Sequence, residues 1–306
     1  MPQILDGAAV RNEILARLKP RISRLKRRPG LAVVLVGHNP ASEVYVRSKI
    51  KTCGEAGIFS DKLAPAETIT TEELLGIIGD LNRRPDIDGI LVQMPLPKQV
   101  DTRRVLEAVS PDKDADGFHP VNVGHLVAGR PAPRACTPAG IMELLKHYKI
   151  PVDGRRAVVL GRSDIVGKPM ALMLLHENAT VTVCHSRTAE LADECRRADV
   201  LVAAIGRPAM VTAEFLAPGA TVIDVGMNRV TDRAEAARLG RAEEFERKGS
   251  VLVGDVHPLD VARVASAYTP VPGGVGPLTI AMLMANTVAL AEQHQAAASS
   301  VGALVR

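Results

Sequence analysis

A phenol and an amine share one face of a helix predicted in the first third of the chain. Tyr45 and Lys49 are four residues apart and Ser42 precedes Tyr45 by three, so these side chains form one strip on a helix of 3.6 residues per turn. The helix follows a predicted buried strand, and open α/β sheets bind ligands beyond the carboxyl ends of their strands. The strip is either a ligand site or an exposed helix face, and taken alone it favours the exposed face.

Two more polar residues are predicted at a strand end and in a loop. Gln93 directly follows the apolar residues 90–92, and the prolines after it restrict the turn. Its amide either points outward towards a ligand or caps the strand. Asp116 precedes a glycine, a position where an aspartate is more often a turn former than a ligand contact. Together with Lys49, these residues predict a site that combines an amine, an amide and a carboxylate.

A strand, a tight turn and a helix follow one another over residues 157–170. The apolar residues 157–160 lead into Gly161, a polar turn and a helix that opens near Gly167. This order of elements cradles phosphates in dinucleotide-binding folds. The two glycines do not match the G-x-G-x-x-G pattern, so an ordinary strand–helix turn fits the stretch equally well.

The residues after the next predicted strand indicate which dinucleotide would bind. An NAD site normally has an acidic residue there, which binds the ribose 2′-hydroxyl. Here the strand 180–184 is followed by His185, Ser186 and Arg187, and Arg162 lies in the first turn. A serine and arginines suit the 2′-phosphate of NADP. NADP is therefore the predicted cofactor, although Arg187 alone would also fit a surface position.

Alternating helices and strands must position these residues. The pattern predicts helices over 8–28, from Asn39 to about Gly57, from the capping sequence at Thr70 to about Arg84, over 140–148 and over 278–293. It predicts strands at 31–36, 89–92, 157–160, 180–184, 200–204, 221–225 and 251–254. Such alternation indicates βαβ units and a mostly parallel sheet.

We therefore predict an α/β protein with two domains. Residues 1–139 would form an N-terminal α/β catalytic domain, with a C-terminal helix at 278–306 packing back on it. Residues 140–277 would form a Rossmann-like NAD(P)-binding domain with a parallel sheet. The segment 128–140 is rich in Pro and Gly and is the predicted linker.

Composition restricts the class of protein. The 306 residues are 46% hydrophobic and 24% charged, which is typical of globular domains. Aromatic residues make up only 2%, which argues against stacking platforms for single-stranded nucleic acid. The one dense basic run, residues 21–28, is expected to be a solvated helix end, where cations are favourable. We expect no nucleic-acid partner.

Four cysteines show neither a C-x-x-C pair nor metal-ligand spacing with histidine, so no metal is predicted. No N-terminal signal peptide is visible, and no apolar run is judged long enough to span a membrane. The expected setting is therefore the reducing cytoplasm, with no membrane partner.

Several spaced motifs occur in one order along nearly the whole chain. They are residues 39–49, 89–97, 113–117, 136–138, 161–170 and 270–277. In this order they resemble the bifunctional methylenetetrahydrofolate dehydrogenase/methenyltetrahydrofolate cyclohydrolase family in its short bacterial form. Departures are mild: Met94, Ala115 and Leu278 stand where the family often has Leu, Val and Met.

The resemblance implies an enzyme that oxidises 5,10-methylenetetrahydrofolate with NADP and then hydrolyses the methenyl product to 10-formyltetrahydrofolate. It implies that Lys49 is the acid–base group and that Gln93 orients either Lys49 or the water. Tyr45 would stack on or position the folate, and Asp116 would accept hydrogen bonds from the pterin. These four would be both catalytic and substrate-binding, with Pro272 and Gly273 as further substrate-binding residues. Cofactor contacts would come from Gly161, Arg162, Ser163, Ser186, Arg187 and Met227. The family also implies a homodimer.

Two other functions are compatible with parts of the sequence. A monofunctional dehydrogenase would release the methenyl compound, but it would not need the combination of Tyr45, Lys49 and Gln93. A non-catalytic folate- or nucleotide-binding regulator would not need to keep Lys49.

Overall fold

The computed structural model describes residues 1–304, so the last two residues of the predicted helix 278–306 lie outside the described chain. The protein consists of two compact units, each assembled from two separate stretches of chain. One consists of residues 12–136 and the chain from 280 onward, and we call it the three-stranded unit after its sheet. The other consists of residues 1–11 and 137–279, and we call it the six-stranded unit.

The three-stranded unit has a small parallel sheet in which β2 (Gly30–Val34) lies between β3 (Phe59–Leu63) and β4 (Gly89–Val92). Its elements are most of α1 (Gly7–Ile22), β2 (Gly30–Val34), α2 (Pro40–Ala56), β3 (Phe59–Leu63), α3 (Thr71–Arg83), β4 (Gly89–Val92), α4 (Thr102–Ala108), α5 (Pro120–Val127) and the larger part of α12 (Val275–Leu304). The central strand β2 is buried along its whole length. That burial explains why it reads as a continuous apolar run.

Local signals set the ends of two helices as predicted. The Asn39 side chain accepts a hydrogen bond from the backbone N–H of Ser42, and Gly57 ends α2 with φ of 83°. Thr70 and Glu73 form a reciprocal capping box that starts α3. The prediction for α1 is less accurate, because the helix ends at Ile22 rather than near residue 28.

Both faces of the β2 strand are covered. Leu31 and Val33 pack with Val46 of α2 and with Met284 of α12 in one cluster. On the opposite face, Ala32 and Val34 pack with Leu74 and Ile78 of α3. The alternation of side chains along β2 therefore fixes α2 on one side of the sheet and α3 on the other.

The six-stranded unit is built on one sheet, in which every pairing is parallel. In spatial order its strands are β1 (Gln3–Ile4), β11 (Ala267–Tyr268), β8 (Thr221–Asp224), β7 (Val200–Ala203), β5 (Arg156–Leu160) and β6 (Thr180–Cys184). Its helices are α6 (Cys136–His147), α7 (Gly167–His176), α8 (Leu191–Arg196), α9 (Arg233–Arg238), α10 (Ala242–Lys248) and α11 (Pro258–Val264). The strand order reverses at β5, and such a reversal is where open parallel sheets bind ligands. The predicted α/β class with a parallel sheet is confirmed.

Three details of the structure differ from the predicted layout. Residues 1–11 group with the six-stranded unit rather than with residues 12–136, because β1 pairs with β11. Helix α6 begins at Cys136, inside the predicted linker. The strand predicted at 251–254 forms as β10 (Val251–Val253), but it pairs antiparallel with β9 (Asn228–Val230), outside the parallel sheet.

Helix α12 contradicts the expectation about apolar runs. The segment Val275–Ala298 is long and apolar enough to cross a membrane by length and composition. However, 56% of its most apolar stretch is buried inside the protein, and Leu283, Met284 and Val288 belong to the same cluster as β2. Such burial is typical of a core helix, which passes the same test of length and composition.

Candidate active site

A buried amine and an amide side chain meet at the carboxyl end of the three-stranded sheet. Lys49 is only 8% exposed, and its Nζ donates a hydrogen bond of 3.0 Å to Oε1 of Gln93. The amide Nε2 of Gln93 donates to the backbone oxygen of Met94 at 2.8 Å, so Oε1 is held towards the amine. A buried lysine with a fixed acceptor is not typical of a solvated helix face, so the interpretation of the strip as an exposed face does not fit Lys49.

The loop that carries Asp116 is organised by a neighbouring carboxylate. Asp114 accepts hydrogen bonds from the backbone N–H groups of Gly117 at 2.9 Å and His119 at 2.8 Å. Gly117 has φ of 74°, and a Cβ atom there would lie 2.4 Å from the carbonyl carbon of Arg134. The backbone conformation of the loop and its close approach to Arg134 therefore require glycine at this position.

The carboxyl of Asp116 is electrostatically coupled to Lys49. Burial raises the pKa of Asp116 to about 6, and the nearby charge of Asp114 also raises it, while the positive charge of Lys49 lowers it. The Sγ atom of Cys136 lies 4.0 Å from Oδ1 of Asp116. Because burial raises the pKa of the Cys136 thiol well above its usual value, this thiol is neutral and acts as a weak donor.

Tyr45 lies one helical turn before Lys49 and completes the strip on α2. Its side chain is 37% exposed, and burial of the remainder raises the pKa of the phenol. The hydroxyl is therefore protonated at neutral pH. Ser42, at the start of the strip, is buried. The strip thus presents an apolar ring with a polar tip next to a fixed amine.

A second site lies at the strand-order reversal of the six-stranded sheet. Gly161, at the end of β5, has φ of 129°, and a Cβ atom on it would lie 2.2 Å from the backbone oxygen of Ala204. Gly167 is similarly constrained, because its Cβ would lie 2.3 Å from the oxygen of Gly161. The Ser163 hydroxyl accepts hydrogen bonds from the N–H groups of Val166 and Gly167 at 3.2 and 3.3 Å. The turn thereby places the N-terminus of α7 against the strand end, which suits phosphate.

This turn borders a cleft of about 470 Å³. Four predicted cofactor residues line it: Gly161, Arg162, Ser163 and Ser186. Arg187 does not line it among the described residues, and the cation that does, besides Arg162, is Arg207. Arg207 follows the end of β7, so applying the strand-end rule to that strand would have found it. Two arginines and two serines line the cleft, so its residues fit a dinucleotide phosphate.

Two buried carboxylates, both missed by the sequence analysis, fix the loops at this edge. Asp255 is fully buried and accepts hydrogen bonds from the backbone N–H groups of Ile205, Gly206 and Arg207 at 2.7, 2.9 and 2.9 Å. Asp224 accepts three more backbone N–H bonds, and burial raises its pKa to about 7. The position of the loop after β7 therefore depends on a side chain that lies far along the chain.

The remaining predicted residues also lie in the six-stranded unit. Met227 follows β8, is 40% exposed, and places its Cε 3.2 Å from where a Cβ atom of Gly276 would be. Gly273 has φ of 108°, and its oxygen accepts a hydrogen bond of 3.0 Å from the N–H of Gly7. Pro272 directly precedes it and follows a cis peptide bond. Within residues 1–304, no group of three or more His, Cys, Asp or Glu could hold a metal ion.

The fold and the cleft define an α/β protein with a dinucleotide-binding unit. Comparison with family models identifies a tetrahydrofolate dehydrogenase/cyclohydrolase catalytic domain at residues 5–116 and the NAD(P)-binding domain of the same family at residues 135–295. The chain belongs to this family. It is a bifunctional dehydrogenase and cyclohydrolase, and the predicted family, fold class and pair of activities are confirmed.

Individual relatives agree along almost the whole chain. A bifunctional protein FolD from Solibacter usitatus is 66% identical over 302 residues, which cover 96% of this chain and 99% of the relative. The crystal structure of the bifunctional enzyme FolD from Campylobacter jejuni is 43% identical with a TM-score of 0.88, covering 96% of this chain and 99% of that one. The Trypanosoma brucei enzyme, solved with NADP and an inhibitor, is 39% identical with a TM-score of 0.86, with the same coverage of 96% and 99%.

Proposed function

We propose that Lys49 is the acid–base group of an enzyme that converts 5,10-methylenetetrahydrofolate to 10-formyltetrahydrofolate in two steps. The first step is an NADP-dependent oxidation to the methenyl compound, and the second is hydrolysis of that compound. The observation that carries the proposal is the buried amine of Lys49, held at 3.0 Å by Gln93 and electrostatically coupled to Asp116.

The hydrolysis requires proton transfers that an oriented amine can perform. Water must lose a proton as it attacks the cationic methenyl carbon, and a ring nitrogen must gain one as the C–N bond breaks. Lys49 would take the proton that the water loses and pass it to the ring nitrogen, so the protons balance. Gln93 keeps Nζ in one place during both transfers.

The folate would be held by the other two residues of this unit. Asp116 carries a carboxylate above pH 6, and a carboxylate matches the two N–H donors of the pterin's guanidine-like edge. Tyr45 offers a ring face and a protonated hydroxyl on the same helix face as Lys49, so we assign it to positioning of the folate. Pro272 and Gly273 are further substrate-binding candidates.

In the oxidation, NADP supplies the acceptor for a hydride from the methylene carbon. The cleft residues would hold it: Gly161, Arg162 and Ser163 at the phosphates, with Ser186 and Arg162 at the 2′-phosphate. The preference for NADP is supported by the absence of an acidic residue directly after β6 and by Arg162 in the cleft. Met227 is proposed to lie next to the nicotinamide. Arg187 has less support than Arg162, because it does not line the cleft.

The decisive experiment separates the two activities in one variant. Lys49→Met keeps the buried aliphatic stem and removes the amine, while Lys51→Met on the same helix removes a lysine whose side chain is 77% exposed. Loss of methenyl absorbance measures the hydrolysis, and NADPH formation measures the oxidation. We expect hydrolysis to fall at least about 100-fold for Lys49→Met and to stay normal for Lys51→Met. Normal hydrolysis by Lys49→Met would refute the assignment.

Three wider features remain proposals. The resemblance supports a homodimer, which light scattering would test. The basic run supports the absence of a nucleic-acid partner, since Arg21 pairs with Glu292 and Arg27 pairs with the buried Asp88. The four cysteines are all free thiols, which is compatible with a cytoplasmic enzyme that acts without a membrane partner.

A further inference from the structure

A buried asparagine of α12 bonds to two backbone segments, one in the loop that carries Asp116 and one at Arg134. Asn286 is 8% exposed, and its Nδ2 donates to the backbone oxygen of Ala115 at 2.9 Å and to that of Arg134 at 2.9 Å. An amide nitrogen has two hydrogens, so both are used. The same nitrogen lies 3.6 Å from Sγ of Cys136.

The two backbone segments that Asn286 joins are already in contact. A Cβ atom on Gly117 would lie 2.4 Å from the carbonyl carbon of Arg134 and 2.6 Å from its oxygen. Cys136 adds a weak hydrogen bond of 3.4 Å to the Ala115 oxygen. The residues immediately before and after Asp116 are thus each held against the chain at 134–136.

The asparagine itself is held rigidly by the helix that carries it. Leu283 and Met284 precede it in the core cluster that contains β2. Thr287, the next residue, is fully buried, and its hydroxyl donates a hydrogen bond of 2.8 Å to the Leu283 oxygen of the same helix. Thr287 therefore resembles Asn286 in burial and polarity, but within residues 1–304 its side-chain hydrogen bond stays inside the helix.

We propose that Asn286 is a positioning residue, which sets the carboxylate of Asp116 at the distance and angle that folate binding requires. The inference rests on the proposed role of Asp116. Without the amide, the Arg134 oxygen loses this hydrogen bond and the Ala115 oxygen keeps only the weak bond from Cys136, so the loop can move to find water. A displacement of about 1 Å in such a contact can cost up to about 100-fold, and the predicted cofactor residues belong to the other unit.

The test is a double-mutant cycle that measures the dissociation constants of 5-formyltetrahydrofolate and NADP. We expect Asn286→Leu to weaken the binding of 5-formyltetrahydrofolate by about 10- to 100-fold and to leave the dissociation constant of NADP within about twofold of wild type. In an Asp116→Asn background, Asn286→Leu should have little further effect on either dissociation constant. The matched control Thr287→Val should leave both constants unchanged. If the leucine variant does not fold, Asn286→Ser keeps one donor and should show a smaller loss with the same pattern.

The cycle distinguishes two kinds of failure. Equal losses from Asn286→Leu in the wild-type and Asp116→Asn backgrounds would show that Asn286 does not act through Asp116, and would overturn the inference alone. Normal 5-formyltetrahydrofolate affinity in Asn286→Leu would overturn it as well. Normal affinity in Asp116→Asn would overturn the proposed role of Asp116 and the inference with it.

Discussion

Asp116→Asn tests whether an ionised carboxylate recognises the folate. Since burial raises the pKa of Asp116 to about 6, the carboxylate is almost fully ionised at pH 8, and only about a tenth is ionised at pH 5. If only the ionised form binds, the wild-type affinity for 5-formyltetrahydrofolate should fall about tenfold as the pH falls from 8 to 5. The asparagine variant should bind weakly at both pH values, because its amide does not titrate.

The same substitution is expected to stabilise the protein at pH 8. The pKa of this acid is raised in the folded state from its ordinary value of 3.8, so its favourable contribution is fully present only below about pH 4 and is lost as the pH rises through about 6. An asparagine avoids that loss. With an allowance for the partly exposed carboxyl, the gain in unfolding free energy should be about 1 to 2 kcal/mol at pH 8, and it should shrink towards zero as the pH approaches 4.

Two measurements check this reasoning together. Fluorescence titrations with 5-formyltetrahydrofolate between pH 5 and 8 give the affinity, and thermal melts over the same range give the stability. Asp112→Asn, at a side chain that is 64% exposed and close in sequence, is the control and should change neither. A wild-type affinity that is flat over this range, or a variant that melts below wild type at pH 8, would contradict the electrostatic argument.

Three further changes concern the six-stranded unit. In steady-state assays, Arg162→Ala should weaken the binding of NADP more than the binding of NAD. Arg187→Ala should weaken NADP binding less than Arg162→Ala does, because Arg187 does not line the cleft. Equal losses of binding for both cofactors in Arg162→Ala would mean that the 2′-phosphate lies elsewhere. Gly161→Ala should abolish NADP binding in a fluorescence titration, since its Cβ would lie 2.2 Å from the Ala204 oxygen, and normal binding would contradict this. Asp255→Ala removes the acceptor of three loop N–H groups and should lower the unfolding free energy by about 3 kcal/mol or more; a change under about 1 kcal/mol in chemical denaturation would be too small for this role.

Features determined by neighbouring residues could be read from the sequence. The cap at Asn39 and the capping box at Thr70 involve partners three residues away, so their patterns are complete within a few positions. The strand-end rule needs only an apolar run and the residues after it. It located Lys49, Gln93 and Gly161, which the structure places at the carboxyl ends of parallel strands.

Features that depend on distant partners could not be read in this way. Asp255 organises a loop about 50 residues before it, and Asn286 bonds to residues 115 and 134. Neither belongs to a local pattern, and a buried Asp or Asn looks the same in the sequence as an exposed one. The sequence does not show that residues 1–11 group with the six-stranded unit for the same reason, because the strand partner of β1 is β11, more than 260 residues away. Side-chain burial was also out of reach, as Lys49 shows.

The discontinuous make-up of the units has a consequence for how the protein is made. Strand β1 is translated more than 260 residues before its partner β11, and the whole of residues 12–136 lies between them. The three-stranded unit likewise needs core residues of α12 that are translated after residues 137–279. The six-stranded unit therefore cannot complete its sheet until residues 12–136 have been translated, and the three-stranded unit cannot complete its core until residues 137–279 have been translated. Excising residues 12–136 or 137–279 as separate fragments would therefore yield two incomplete cores.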